Sequence, residues 1–247
     1  IVAAISRIHH GHMPIEPDPS LTHSGNLLYM ITGCRPTPLE EKIMDITLIL
    51  HADHGMNAST FATMVVASTL SDMYFSVGSG IAALSGSLHG GANEEVVKNL
   101  KEIGTVENVE SWVERKMAEK GKISGFGHRV YKAYDPRARV LKPLAGFLVK
   151  EKPEIEPLYN VAIKLEDVVI SRFGMEKKIF PNVDFYSGLI YSCLGIDAEL
   201  FTPMFAVSRV AGWTARALEY MENNRIFRPR AQYTGEFNKS YVQIQKR

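Results

Sequence analysis

Apolar residues in this chain recur at the spacing of a helix and almost never at that of a strand. Ile43, Ile46, Thr47 and Leu50 fall at i, i+3, i+4 and i+7, which turns one face of a helix toward a core. Leu158, Ala162, Leu165 and Val169 repeat the pattern, as do Met204, Val207, Ser208, Ala211, Ala215 and Leu218. Strict period-two alternation is scarce, so the expected fold class is all-α. Helices are predicted near 38–54, 57–75, 78–89, 91–103, 108–120, 135–150, 154–173, 183–194 and 198–223, the last entered through a Thr202-Pro203 cap. Asp53-His54-Gly55, Gly90-Gly91 and Pro181-Asn182 supply helix boundaries, and Pro14, Pro17 and Pro19 mark an extended connection. Residues 1–12 read as the interior of an amphipathic helix, and with no starting methionine the chain is expected to be the later part of a longer polypeptide. At 247 residues and 45% hydrophobic, it can bury a large core and divide into two domains.

Charge narrows the function classes. Lys plus Arg number 28 against 27 Asp plus Glu, a net of +1 that offers nucleic acid or an anionic membrane no basic excess. An anionic ligand must therefore be met by locally clustered cations. Cys34 and Cys193 stand far apart without metal-ligand spacing, which argues against a disulfide framework or a zinc site and fits a cytoplasmic setting. No apolar run approaches the roughly 20 residues of a membrane helix.

Four polar clusters interrupt the apolar helices: His51-Ala-Asp53-His54-Gly-Met-Asn57, Ser87-Leu-His89-Gly-Gly-Ala-Asn93, Gly125-Phe126-Gly127-His128-Arg-Val-Tyr-Lys132 and Pro181-Asn-Val-Asp184. Each has an ordinary explanation. A histidine at a helix end is a cap or a satisfied core group, and an acid near a helix start pairs with free backbone N–H groups. Gly90-Gly91 beside His89 would let a ligand approach the backbone. His51-x-x-His54 has the spacing of two nitrogens on adjacent turns but lacks the glutamate of HExxH, so metal is not expected. The Gly-Phe-Gly-His run matches neither GxGxxG nor a P-loop, yet His128, Arg129, Lys132 and Arg137 bring four anion donors within ten positions. The Gly-rich segment 78–91 is expected to allow close helix packing, between subunits among other places. His9, His10 and His12 read as a solvated helix end.

Taken in order, HADHGMN, LHGGAN, GFGHRVYKAYDPRA, PNVDFYSG, VSRVAGW and RPRAQYTG resemble citrate synthase, in particular its shorter prokaryotic type, over nearly the whole chain. The resemblance implies a helical homodimer in which a small domain, 91–190, closes over a large one made of 1–90 and 191–247. Family members carry a further helical segment ahead of the first residue here. The resemblance also implies that His89, His128 and Asp184 are catalytic, and that His54, Asn57, Arg137, Arg209 and Arg228 bind oxaloacetate, Arg228 in the partner's site. Ile123, Gly125, Phe126, Gly127 and Lys132, with help from Arg129, would meet CoA. Acetyl-CoA would be a co-substrate, with no permanently bound cofactor.

These residue types suit a Claisen-type condensation. A carboxylate such as Asp184 can take a thioester methyl proton only if the enolate oxygen is stabilised, which a neutral His89 would do as a hydrogen-bond donor. His128 would polarise the acceptor ketone, and planar guanidinium forks match the two carboxylates of oxaloacetate. Domain closure would be needed to join the parts. Three other readings compete: 2-methylcitrate synthase, which differs by one methylene worth about 1–3 kcal/mol; a citryl-CoA lyase module; and a non-catalytic helical dimerisation protein.

Overall fold

The computed structural model describes residues 1–86, 89–128, 131 and 133–246. The helices in chain order are α1 Val2–His9, α2 His23–Thr32, α3 Pro38–Ala52, α4 Ala58–Ala67, α5 Met73–Leu84, α6 Ala92–Ile103, α7 Val109–Ala118, α8 Pro136–Glu151, α9 Glu156–Val169, the single turn α10 Met175–Lys177, α11 Val183–Cys193 and α12 Phe201–Met221. Among the described residues the one β-type pairing is a bridge between Phe126 and Pro181. The fold is all-α, as the spacing predicts.

Capping chemistry sets most helix starts. Thr37 and Glu40 form a reciprocal capping box on α3, Asn57 caps α4 through the Thr60 amide, and Asp72 caps α5 through the Phe75 amide. These caps correct two expectations. The helix predicted over 57–75 ends at Ala67, because Leu70 takes a left-handed backbone (φ 62°) and Asp72 starts a new helix; that helix stops at Leu84 and not at 89. Thr202-Pro203 is not a cap either. α12 follows a 3-10 turn, Ala198–Leu200, and the Thr202 hydroxyl instead donates to the Gly90 carbonyl at 2.8 Å. The helix predicted over 154–173 splits into a 3-10 turn, α9 and a π-turn, Ile170–Gly174. α2 was not foreseen.

α11 is the central helix. Val183, the run Phe185 to Tyr191, and Cys193 are all buried, the all-round apolar surface of an interior element. It packs on α6 and α8, while α12 packs on α3, α4 and α5, α2 lies against α3, and α1 lies against α2 and α12. One apolar cluster runs from Ala3 and Leu28 through α11 to Met204, and a small second cluster joins Leu84, Phe205 and Trp213. Within the first, the buried Glu166 carboxylate is met by Lys142 at 2.8 Å, by the Tyr134 hydroxyl at 2.6 Å and by the Tyr186 hydroxyl. The histidines near the front are not merely solvated: His10 contacts the Ser6 carbonyl at 2.8 Å and Asp197 at 3.0 Å, joining α1 to the turn before α12.

Two glycines record where helices touch. A methyl on Gly80 would overlap the Thr63 hydroxyl and stand 3.0 Å from the Trp213 ring, so the small residues of α5 serve packing inside this chain. A methyl on Gly212 would overlap the Ala52 carbonyl oxygen and reach Asp53 Cα at 3.2 Å, where α12 crosses the end of α3. Glycine to alanine in an exposed helix interior ordinarily gains about 0.5–1 kcal/mol. Gly212→Ala should instead lose roughly 1–3 kcal/mol through overpacking, measured as a lower urea midpoint; an unchanged or higher midpoint would refute the close crossing.

Candidate active site

A cavity of about 960 Å³ opens between these helices, lined by His54, Asn57, His89, Gly127, His128, Tyr131, Arg137, Asp184, Phe205 and Arg209 among others. Residues from five separated segments therefore face one space. The apposition of two of them is fixed by main-chain bonds. Gly127 N–H donates to the Phe180 carbonyl and Asn182 N–H to the Gly125 carbonyl, both at 2.8 Å, and Asn182 Nδ2 donates to the Gly127 carbonyl at 3.0 Å. Gly125 and Gly127 both have φ near +80°, a conformation glycine takes freely. At Gly125 a side chain would also strike Val96 and Phe185.

Asp135 ties this pairing to α8 and α11. Its buried carboxylate accepts from the Arg137 amide at 2.9 Å, from Arg137 Nε at 3.1 Å and Nη2 at 2.8 Å, and from the Val183 amide at 3.2 Å. Burial raises its pKa, but the Arg137 hydrogen bonds and charge outweigh this and hold the carboxyl below its ordinary range. Arg137 lines the cavity with one edge of its guanidinium committed to Asp135.

Asp184 sits in the first turn of α11, where Asn182, not Asp184, is the cap. Burial pushes its carboxyl up to about 6, although Arg137 and Arg209 pull the other way. Among the described residues no donor hydrogen-bonds that carboxylate, so it lacks the hydrogen bonds that hold Asp135 ionised.

The histidines are kept neutral by their surroundings. Burial, then Arg137, lowers His54 to about 4; burial, then Arg209, lowers His89. His54 Nε2 lies 3.1 Å from the Tyr131 hydroxyl, and its ring meets that of His128 edge-on at 5.1 Å. The Tyr131 amide donates to His128 Nδ1 at 3.1 Å, which assigns the His128 proton to Nε2. His89 lies in the turn after α5, its own amide bonded to the Gly86 carbonyl, and its Nε2 is 2.8 Å from Ser59 Oγ. Gly90 owes its place to packing rather than to a ligand: a methyl there would overlap the Leu84 carbonyl and crowd Thr202 at 2.9 Å.

Arg209 is 1% exposed, with Nε on the His51 carbonyl at 2.6 Å and its guanidinium over the Phe205 ring at 4.8 Å. Burial, then Arg137, lowers it to about 10. No carboxylate among the described residues forms an ion pair with it, so its charge remains for a ligand in the cavity. His51 is wholly buried, with Nδ1 on the Thr47 carbonyl at 2.8 Å and its ring edge-on to that of Phe205 at 5.0 Å. No group of three or more metal-capable side chains occurs among the described residues.

Other sequence-selected residues lie elsewhere. Arg228 is exposed in the tail after α12, where its guanidinium donates to the carbonyl of its neighbour Pro229 at 3.4 Å. Ile123 packs against the core, and Phe126 packs on Phe185 with centroids 4.7 Å apart. Lys132 and Arg129 fall outside the described residues. Sequence reasoning passed over Ser59, Asp135, Tyr131, Phe205 and Trp213. Of these only Asp135 carries a local signal, an aspartate before a proline at a helix start.

Residues 1–230 match the family model described as citrate synthase, C-terminal domain. The citrate synthase of Deinococcus radiodurans is 50% identical over 247 residues, which are all of this chain and 65% of that protein; citrate synthase 2 of Bacillus subtilis is also 50% identical over all of this chain and 65% of its own length. Among solved structures, citrate synthase from Pyrobaculum aerophilum superposes with a TM-score of 0.91 at 48% identity, covering 100% of this chain and 61% of that one. Citrate synthase from Thermoplasma acidophilum, in ternary complex with carboxymethyl coenzyme A and oxaloacetate, gives 0.90 at 42% identity, covering 100% and 66%. The chain thus spans a little under two thirds of the relatives it matches, and with a family model covering 230 of its residues it belongs to the citrate synthase family.

Proposed function

We propose that the polypeptide bearing this chain condenses acetyl-CoA with oxaloacetate to give citrate and CoA. The observation that carries this reading is a single cavity shared by a desolvated carboxylate, two neutral imidazoles and two guanidinium groups, Asp184, His89, His128, Arg137 and Arg209. Asp184 removes a proton from the acetyl methyl; a pKa near 6 makes it a stronger base than a solvated aspartate while leaving it ionised at neutral pH. His89 donates a hydrogen bond to the thioester oxygen as the enolate forms. The methyl carbon then attacks the ketone carbon of oxaloacetate, whose oxygen is met by the Nε2–H of His128. Water cleaves the resulting thioester. Arg137, Arg209 and His54 hold the oxaloacetate carboxylates, with Asn57 shaping the entrance by capping α4 beside them.

Acetyl-CoA is a co-substrate in this scheme and no step calls for a resident cofactor. Its adenine and phosphates are assigned to the main chain around Ile123 and Gly125 to Gly127 and to Lys132, with 91–190 acting as the moving domain. Arg228, exposed and away from its own cavity, suits a role in the cleft of a second copy. The exposed apolar side chains Phe61, Tyr74, Phe75 and Ile81 on α4 and α5 support that self-association. Among the described residues no helix is long and apolar enough to cross a membrane, and the two free cysteines suit a reducing cytoplasm.

Thiol release from acetyl-CoA with oxaloacetate, using the full-length polypeptide, tests the reading. Asp184→Asn should lower kcat by about 10²–10⁴-fold while oxaloacetate still binds; near-normal turnover would remove Asp184 as the base. In the unmodified protein kcat should fall as pH drops through about 6, where the carboxylate takes its proton. The same group governs stability with a definite sign. Its folded pKa lies above its unfolded one, so its contribution is favourable at low pH and is lost as pH rises from 3.8 to about 6. Asp184→Asn should therefore stabilise the protein by about 2–3 kcal/mol at pH 8 and by nothing near pH 3, read from denaturant melts; a pH-independent effect would contradict the desolvation. Arg209→Lys should raise KM for oxaloacetate more than KM for acetyl-CoA, because a point charge replaces a fork, and unchanged oxaloacetate kinetics would take Arg209 out of the site.

A further inference from the structure

Three rings meet on the wall of the cleft, and the scheme above gives a task to only two of them. His54 faces His128 edge-on with centroids 5.1 Å apart, while the Tyr131 ring lies 5.5 Å from His54 and 4.7 Å from His128, tilted 33° to the latter. All three line the cavity. His54 stands in the loop that follows α3, so no helical turn fixes its ring. His51, just before it, is held by the Thr47 carbonyl, whereas among the described residues the His54 ring has one hydrogen-bond partner, the Tyr131 hydroxyl 3.1 Å from Nε2. Tyr131 is joined to His128 as well, by its amide on Nδ1 at 3.1 Å and by the overlap of the two rings. A phenol is a stronger acid than a neutral imidazole N–H, and an imidazole nitrogen accepts better than a phenol oxygen, so the hydroxyl donates and Nε2 accepts. Burial, then Arg137, keeps His54 neutral. Its single N–H therefore stands on Nδ1.

We propose that Tyr131 is a positioning residue for both histidines on the oxaloacetate side: its hydroxyl orients His54 to offer Nδ1–H to a substrate carboxylate, and its amide and ring hold His128 with Nε2–H toward the ketone. The proposal rests on the condensation reading for the tasks of the two imidazoles. His54 belongs to 1–90 and Tyr131 to 91–190, so the hydroxyl makes its bond across the boundary between the two proposed domains. A tyrosine that grips one histidine through its backbone and ring and the other through its tip sets the distance between them. The carboxylate and the ketone of one small substrate then meet donors at a fixed spacing.

Removing the hydroxyl and removing the ring separate the two contacts. In the full-length polypeptide Tyr131→Phe keeps the ring and should raise KM for oxaloacetate about fivefold, the size of one neutral hydrogen bond, with KM for acetyl-CoA and kcat within about twofold. Tyr131→Ala, which also uncovers His128, should in addition lower kcat by about fivefold to tenfold. Adding Tyr131→Phe to His54→Ala should cost nothing further, because the hydroxyl acts through that imidazole. A merely structural tyrosine would raise both KM values together or add its loss in the double variant. Either result overturns the proposal, as does an unchanged KM for oxaloacetate in Tyr131→Phe. Nitrogen NMR on histidine-labelled protein without substrate should find the ring nitrogens of His54 moved in Tyr131→Phe and those of His89 in place; a His54 signal indifferent to the hydroxyl overturns the proposal even where citrate forms. If the unmodified polypeptide releases no thiol, the condensation reading fails, and the His54 signal still decides whether Tyr131 holds that ring.

Discussion

The carboxylate of Asp135 is the interaction on which the geometry of the cleft depends. It is withdrawn from water yet ionised, because Arg137 and two main-chain amides surround it. Removing one partner of such a buried pair ordinarily costs about 3–5 kcal/mol, since the other charge is stranded. Asp135 and Arg137 both stand at the start of α8, and the Val183 amide that donates to the same carboxylate joins this pair to the start of α11. Through the antiparallel bridge at Phe126 and Pro181 it also locks the His128 loop to the turn that carries Asp184. Asp135 and Asp184 are two aspartates within one neighbourhood, pushed in opposite directions: hydrogen bonds and a guanidinium lower one, while desolvation raises the other. The first becomes a strut, and the second is the base of the proposed reaction.

α12 makes the complementary wall. Its crossing of α3 at Gly212 brings Arg209 onto the His51 carbonyl and Trp213 onto Ser59, so a close helix contact is converted into the placement of two polar groups. The neighbouring histidines lose affinity for protons because both the burial and the arginines act against imidazolium. Positive potential is thereby kept on guanidinium groups, which hold carboxylates with direction, and the imidazoles remain neutral donors.

Much of the fold was legible because long amphipathic helices advertise themselves. α3, α6, α8, α11 and the body of α12 follow the apolar spacing to within a few residues. α2 was hidden because its buried face is built partly from Ser24 and Gly25, small residues that carry no apolar period. The break between α4 and α5 was hidden because it uses neither proline nor a glycine stop; Leu70 adopts the left-handed turn and Asp72 restarts the helix. At the site, the motif residues His54, His89, His128, Arg137, Asp184 and Arg209 line one cavity, whereas Arg228 does not. Ser59 and Trp213 were unreadable for a physical reason: they meet across 154 positions of sequence, and neither a serine in a first helical turn nor a tryptophan in a core helix is unusual. Tertiary hydrogen bonds of that kind leave no trace in local spacing.

The central claim is that three segments distant in sequence present a carboxylate and two imidazoles to one ligand. A crystal structure of the full-length polypeptide with oxaloacetate and a non-reactive CoA thioester analogue tests it most directly. The account predicts the oxaloacetate ketone on His128 Nε2 with a carboxylate on Arg209, and the analogue's acyl group between His89 and Asp184, with the Gly127–Phe180 and Asn182–Gly125 pairs intact. Ligand bound away from Asp184, or a cleft that engages oxaloacetate only after those main-chain pairs have broken, would contradict it.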